Sequence, residues 1–257
     1  MTSPDATFGA VTVTLGADDV AEVEMHRPPA NYFDTDLLDG VVEGVGWAAA
    51  RHARAVVLCS EGRHFCAGLD FGATDGPEPD VLAALYGTAA RLVDSPVPLV
   101  AAVQGSAVGG GLGLALAADF RVAGPTSRFA ANFARLGFHQ GFGISLTLPA
   151  VVGRQRALEL LTTGRRVEGA EALAIGLCDR LDEDPRAGAH ALAGQLAGSA
   201  PLAVRAIRRT LRADVLDGFA AMVDHERAEQ LRLMGTADFH EGIAASLARR
   251  PPRFRGE

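Results

Sequence analysis

Three consecutive glycines, Gly109-Gly110-Gly111, stand where an apolar stretch (Pro98 to Val103) passes through Gln104-Gly105-Ser106 into a helix-like apolar run ending at Asp119. Glycine lets a backbone come close to a ligand because no Cβ intervenes. The first N–H groups of a helix lack intrahelical acceptors, and the positive end of the helix dipole favours negative charge. The chemistry these residues suggest is stabilisation of an oxyanion by backbone donors. A second small-residue bend, Ala67-Gly68, lies in the turn Phe65-Cys66-Ala67-Gly68-Leu69-Asp70. Side-chain chemistry is sparser. All 24 basic residues are arginine, which excludes a lysine Schiff base or a lysine acid/base. Cys59, Cys66 and Cys178 are scattered, odd in number and set among apolar residues, so they read as buried and inert, with no zinc spacing or disulfide framework.

The chain that must position these bends has 257 residues, enough for one large domain or one domain with a small appendage. Its 48% apolar content supports a substantial core. A net charge of −7 argues against nucleic acid or an anionic membrane as partner. No basic-then-apolar leader opens the sequence, and no run approaches ~20 uninterrupted apolar residues. A soluble, cytoplasmic protein without a metal is the expectation.

Period-two alternation in residues 10–25 around Gly16-Ala17-Asp18-Asp19 predicts a β-hairpin. Asp34 or Thr35 can cap a helix running to about Arg51. Ala55 to Cys59 reads as a buried parallel strand, and Val81 to Asp94 as an amphipathic helix stopped by Pro96 and Pro98. The intervening Gly72 to Pro79, rich in glycine, proline and acid, reads as a mobile loop. Phe120 to Ala123 and Ser127 to Ala131 predict strands, and Phe133 to Gly143 an irregular loop. Helices follow over 146–152, 154–163 and 168–174, with a short extended piece at 164–167 and a last strand at 179–181. From Arg186 the chain reads as helical only: 186–199, 201–214, 217–234 and 237–249. Strands alternating with helices and then helices alone give an α/β fold with a C-terminal helical layer.

The ordered set Phe65-Cys66-Ala67-Gly68-Leu69-Asp70, Gly109-Gly110-Gly111, Ala117-Ala118-Asp119, Gly153-Arg154-Gln155-Arg156 and Ala170-Glu171-Ala172-Leu173 resembles the enoyl-CoA hydratase/isomerase (crotonase) superfamily, over roughly residues 10–255. The resemblance implies a ββα spiral over 1–195 that binds acyl-CoA. It also implies a C-terminal helical oligomerisation layer over 196–257 that makes homotrimers or hexamers. It assigns two thioester-binding N–H donors to Leu69 and Gly110. It places coenzyme A, as part of the substrate and with no separate cofactor, near Ala30, Asn31 and Ala67. Gly68, Gly109, Asn132, Phe133 and Phe138 fall in the substrate pocket. The basic tail with Arg250, Arg253 and Arg255 can reach a neighbouring subunit's phosphates or remain an ordinary solvated tail.

Hydratases of this superfamily carry two glutamates, which map here to Gly113 and Phe133. A third position used for Asp or Tyr in other members maps to Gly141. A hydrogen or a phenyl group cannot act as a base. The candidates for proton chemistry are therefore His139, in the glycine-flanked loop Leu136 to Gly143, and His225, on a C-terminal helix. Tyr86, on the helix beside the loop, is a weaker candidate. His64, Asp70 and Asp119 read as structural, and Arg135 as a surface charge near the pocket wall. The resulting expectation is an acyl-CoA-processing enzyme that stabilises a thioester enolate by non-standard lyase or isomerase chemistry. A decarboxylase or isomerase acting on a carrier-protein thioester, and an inactive acyl-CoA-binding paralogue, remain open beside it.

Overall fold

The computed structural model describes residues 5–72 and 78–257; most of the predicted loop Gly72 to Pro79 lies outside the described residues. Ala6–Phe8 (β1), Val11–Leu15 (β2) and Val20–Met25 (β3) form an antiparallel meander, with Val13 opposite Val23. Val11 and Val13 of β2 and Val23 and Met25 of β3 face the main core, as the period-two pattern predicts, while Val20 is buried on the other face of the sheet. Asp34 caps the helix Thr35–Ala50 (α1): its carboxylate accepts the Leu37 N–H at 2.9 Å. Ala55–Ser60 (β4) is buried at all six positions and runs parallel to β3. This full burial explains its unbroken apolar sequence. The helix Pro79–Val93 (α2) follows, then Leu99–Val103 (β5).

Ser106–Val108 (β6) leads directly into Gly110–Ala117 (α3). No strand signal marks β6 in the sequence, because three residues are too few to show a period. Phe120–Ala123 (β7) returns to the first sheet and Arg128–Ala130 (β8) to a second. A 3-10 turn at Asn132–Leu136 opens the loop predicted to be irregular. The rest comprises Ile144–Val152 (α4), Arg154–Thr163 (α5), Arg166–Glu168 (β9), Gly169–Ala174 (α6) and Arg180–Leu181 (β10). Four helices close the chain: Pro185–Ala197 (α7), Pro201–Leu211 (α8), Ala213–Met234 (α9) and Ala237–Leu247 (α10).

The large sheet has the order β1-β2-β3-β4-β5-β7-β10, parallel from β3 onward, and the small one β6-β8-β9. This is the expected α/β fold with C-terminal helices. Phe219 and Val223 of α9 and Phe239 of α10 are buried in the main core, each worth about 1.5–3 kcal/mol by transfer from water. Asp119 fastens this helical layer to the sheet: it accepts Arg208 at 2.8 Å, Arg212 at 2.6 Å and the Leu99 N–H at 2.8 Å. That is the structural role read from its sequence. Among the described residues no helix is long and apolar enough to cross a membrane.

Candidate active site

The two bends meet. The turn after β4 is stitched alongside β6: Cys66 N–H donates to the Ser106 carbonyl at 3.1 Å, and Val108 N–H to the Cys66 carbonyl at 3.0 Å. Gly68 has φ +81° and lies against the start of α3. A Cβ there would sit 2.9 Å from the Val108 oxygen and 3.1 Å from the Gly110 nitrogen. Glycine is required at 111 because a Cβ would lie 2.1 Å from the Cys66 carbonyl oxygen. Gly109 N–H is tied to the Ala130 carbonyl at 2.9 Å. Among the described residues, the N–H groups of Leu69 and Gly110 have no protein acceptor. Gly110 is the first residue of α3, so its free N–H follows from helix geometry.

Both residues border a cavity of about 250 Å³. Its walls are mainly aromatic and aliphatic, with Phe33, Phe133, Phe138 and Phe142 among them, and Phe33 and Phe142 pack 5.5 Å apart. Exposed Tyr32 and Asp70 also line it; Asp70 accepts the Gly72 N–H at 2.9 Å. Buried Tyr86 and Gln230 bring polar atoms to the lining. An apolar pocket with a few fixed polar groups is the usual form of a small-molecule site. Among the described residues no three His, Cys, Asp or Glu side chains are grouped as metal ligands would be.

The family model for enoyl-CoA hydratase/isomerase matches residues 16–257. The chain belongs to the enoyl-CoA hydratase/isomerase family. It is similar to a probable enoyl-CoA hydratase of Bacillus subtilis, with 31% identity covering 95% of this chain and 99% of the relative. It is 36% identical to the cyclohexa-1,5-dienecarbonyl-CoA hydratase of Thauera aromatica, over 89% of this chain and 90% of that one. A solved enoyl-CoA hydratase structure from Mycobacterium avium subsp. paratuberculosis superposes with a TM-score of 0.85 at 27% identity. That superposition covers 96% of this chain and 99% of the other. The protein is thus an enzyme of the hydratase/isomerase type.

Of the residues singled out in the sequence, Ala67, Gly68, Leu69, Gly109, Gly110, Asn132, Phe133 and Phe138 line the cavity. Ala30 and Asn31 do not, although they shape its rim. The Ala30 carbonyl accepts the Ala67 N–H at 3.0 Å. Asn31 is fully buried with φ +48°; its amide donates to the Glu61 and His64 carbonyls at 2.8 and 2.7 Å and accepts the Arg27 N–H at 2.9 Å. Its hydrogen-bonding capacity is thus largely committed to holding the turn of the first donor.

The histidines meet each other away from the cavity. The rings of His139 and His225 are 6.0 Å apart, and neither lines the pocket. His139 pairs through Nδ1 with the Gln140 carbonyl at 2.8 Å, and His225 is exposed. His139 is held by its bond to Gln140, and His225 lies off the buried stripe of α9; in the same loop as His139 the chain takes left-handed backbone at Phe142 (φ +64°) and Gly143 (φ +73°), and the Phe142 ring packs against Gly113. A Cβ on Gly113 would lie 2.7 Å from the Phe142 Cβ. At Gly141 a Cβ would lie 2.0 Å from the Tyr86 hydroxyl and 2.6 Å from the Gln230 Nε2. The space that a side chain at 113 or 141 would take is therefore occupied by neighbours.

Glu226 and Gln230 were missed in the sequence. Fully buried Glu226 accepts the Gly143 N–H at 2.7 Å and the Ser145 N–H at 2.8 Å, holding the start of α4. Burial raises its pKa, against the pull of those hydrogen bonds. Gln230 donates to the His139 carbonyl at 2.9 Å. A signal was present: Phe219, Val223, Glu226 and Gln230 form the buried stripe of α9, and two polar residues within such a stripe call for buried partners.

Proposed function

We propose that the protein processes an acyl-CoA thioester by holding its carbonyl oxygen between the Leu69 and Gly110 N–H groups while an enolate forms. The observation that carries this reading is the pair of unpartnered N–H groups, brought to one cavity from two separate bends. Donors preorganised in an apolar cavity stabilise developing charge at little reorganisation cost. Coenzyme A enters as part of the substrate, and no further cofactor is required.

The reaction belongs to the lyase or isomerase kind rather than to hydration by a glutamate pair, because Gly113 and Phe133 offer no carboxylate. The family resemblance supports a homotrimer or hexamer. The tail lies along α10, with Arg250 gripping Glu241 at 2.6 and 2.7 Å, while no acidic partner engages the Arg253 and Arg255 side chains among the described residues.

The test is deuterium wash-in from heavy water at Cα across a panel of acyl-CoA thioesters. Wash-in without measurable hydration of crotonyl-CoA is expected. Thioesters that bind and never exchange would reduce the protein to an acyl-CoA binder. His139→Ala and His225→Ala separate the remaining possibility. Both should exchange at close to the parent rate, since neither ring lines the cavity; loss of exchange in either returns the proton chemistry to the histidines.

A further inference from the structure

Among the described residues lining the cavity, three side chains can ionise: Tyr32, Asp70 and Tyr86. Tyr32 and Asp70 are exposed, whereas Tyr86 is buried at 6% relative exposure. Its hydroxyl meets the side chain of Gln230, which comes from α9, 144 residues further along the chain. The orientation of that amide is decided by its other end. The His139 carbonyl can only accept, so the NH2 of Gln230 faces it, at 2.9 Å. Oε1 therefore faces the phenol, and the Tyr86 O–H is the donor between them.

The hydroxyl also sits over Gly141, in the space a side chain there would take. The absence of that side chain leaves the phenol at the cavity. Burial, reinforced by the nearby Glu226 carboxylate, pushes the Tyr86 pKa upward, so at neutral pH the group is an acid with its proton in place.

We propose that Tyr86 is the catalytic proton donor of this site and that Gln230 is its positioning residue. The step rests on the enolate reading above. The Tyr86 O–H turns from Gln230 Oε1 towards the enolate carbon. The O–H bond breaks, and its proton passes to that carbon. The C=C electron pair forms the new C–H bond, and the oxygen held by Leu69 and Gly110 returns to a thioester carbonyl. The phenolate left behind takes a proton from water. By microscopic reversibility, exchange from the thioester runs the same steps backwards: hydroxide takes the Tyr86 proton, the phenolate oxygen then removes the proton from Cα, and the C–H electron pair becomes the enolate C=C bond.

The experiment is deuterium wash-in at Cα over the same acyl-CoA panel, for the parent protein, Tyr86→Phe, Gly141→Ala, Gln230→Met and Gly68→Ala. Thioester affinity and thermal melting are measured alongside. Tyr86→Phe should lower wash-in by about 10²–10⁴-fold, the usual worth of a positioned acid, with thioester affinity held within about threefold. Gly141→Ala leaves the phenol chemically intact but places a methyl group on its oxygen, so it should lose rate as well; it stands in should Tyr86→Phe fold poorly. Gln230→Met should lower the rate less than Tyr86→Phe and leave affinity unchanged. Wash-in that falls in Gly68→Ala but persists in Tyr86→Phe and Gly141→Ala would overturn the role of Tyr86 and leave the oxyanion reading intact. Absence of wash-in in the parent protein would overturn both.

Discussion

The two sides of the cavity are built by opposite means. The donor side is main chain throughout: Leu69 and Gly110 present N–H groups from two bends pressed together by glycine. The opposite side is made of side chains from distant elements. Tyr86 comes from α2, Phe142 from the loop before α4 and Gln230 from α9, while Glu226 of α9 holds the start of α4 without lining the cavity. On the donor side, a backbone atom stands so close that almost no substitution fits. On the other, positions 113 and 141 carry no chemistry of their own, and their space is filled by neighbours. The free N–H groups on the first side depend on backbone alone, whereas the side chains available on the second depend on whatever packs there.

The largest effect should come from the donor side. Gly111→Ala drives a Cβ into the Cys66 carbonyl, a backbone atom that cannot turn away. It should cost about 3 kcal/mol or more in denaturant titrations. Gly110→Ala meets the tip of the Phe33 ring at 2.4 Å and should cost less, since a side chain can shift. Equal costs would show that the donor side is not limited by backbone contact.

Next comes the loop side. Glu226→Gln leaves one of the Gly143 and Ser145 N–H groups facing an amide NH2, which should cost about 1–3 kcal/mol and speed hydrogen exchange at both amides. Its pH dependence is specific. Burial holds the folded pKa of Glu226 above its ordinary 4.5, so the folded state binds this proton more tightly than the unfolded chain. That contribution is full below about 4.5 and is lost as pH rises through the folded value. Glu226→Gln should remove this part of the stability–pH slope; an unchanged slope would mean the carboxyl does not feel its burial.

The smallest expected effect is a null. Gly113→Glu adds a carboxylate to α3, yet it should produce no crotonyl-CoA hydration, because Phe142 occupies the space at that position. Hydration by this single variant would show that the loop side yields easily and that the contrast between the two sides is shallow.

Much of the donor side was legible in the sequence. A strand-to-helix junction with three glycines dictates free N–H groups at a helix start, and Ala67-Gly68 marks the partner bend. The predicted hairpin, the Asp34 cap and the buried β4 strand all stand in the structure. The loop side was not legible. His139 and His225 have the right chemistry on paper, but the bond of His139 to the Gln140 carbonyl and the face of α9 that is buried are set by tertiary contacts. Nothing in the sequence shows that the Asn31 amide clamps the turn behind Leu69 through the Glu61 and His64 carbonyls.

The sequence alone determined the family, through an ordered set of motifs, and the layered fold and the free N–H groups at the two bends, through local periodicity and where only glycine can stand. Tertiary structure alone decided which buried titratable group reaches the cavity. Tyr86 and Gln230 meet across 144 residues, and their contact arises only when α9 folds back over α2 and fills the space left at Gly141.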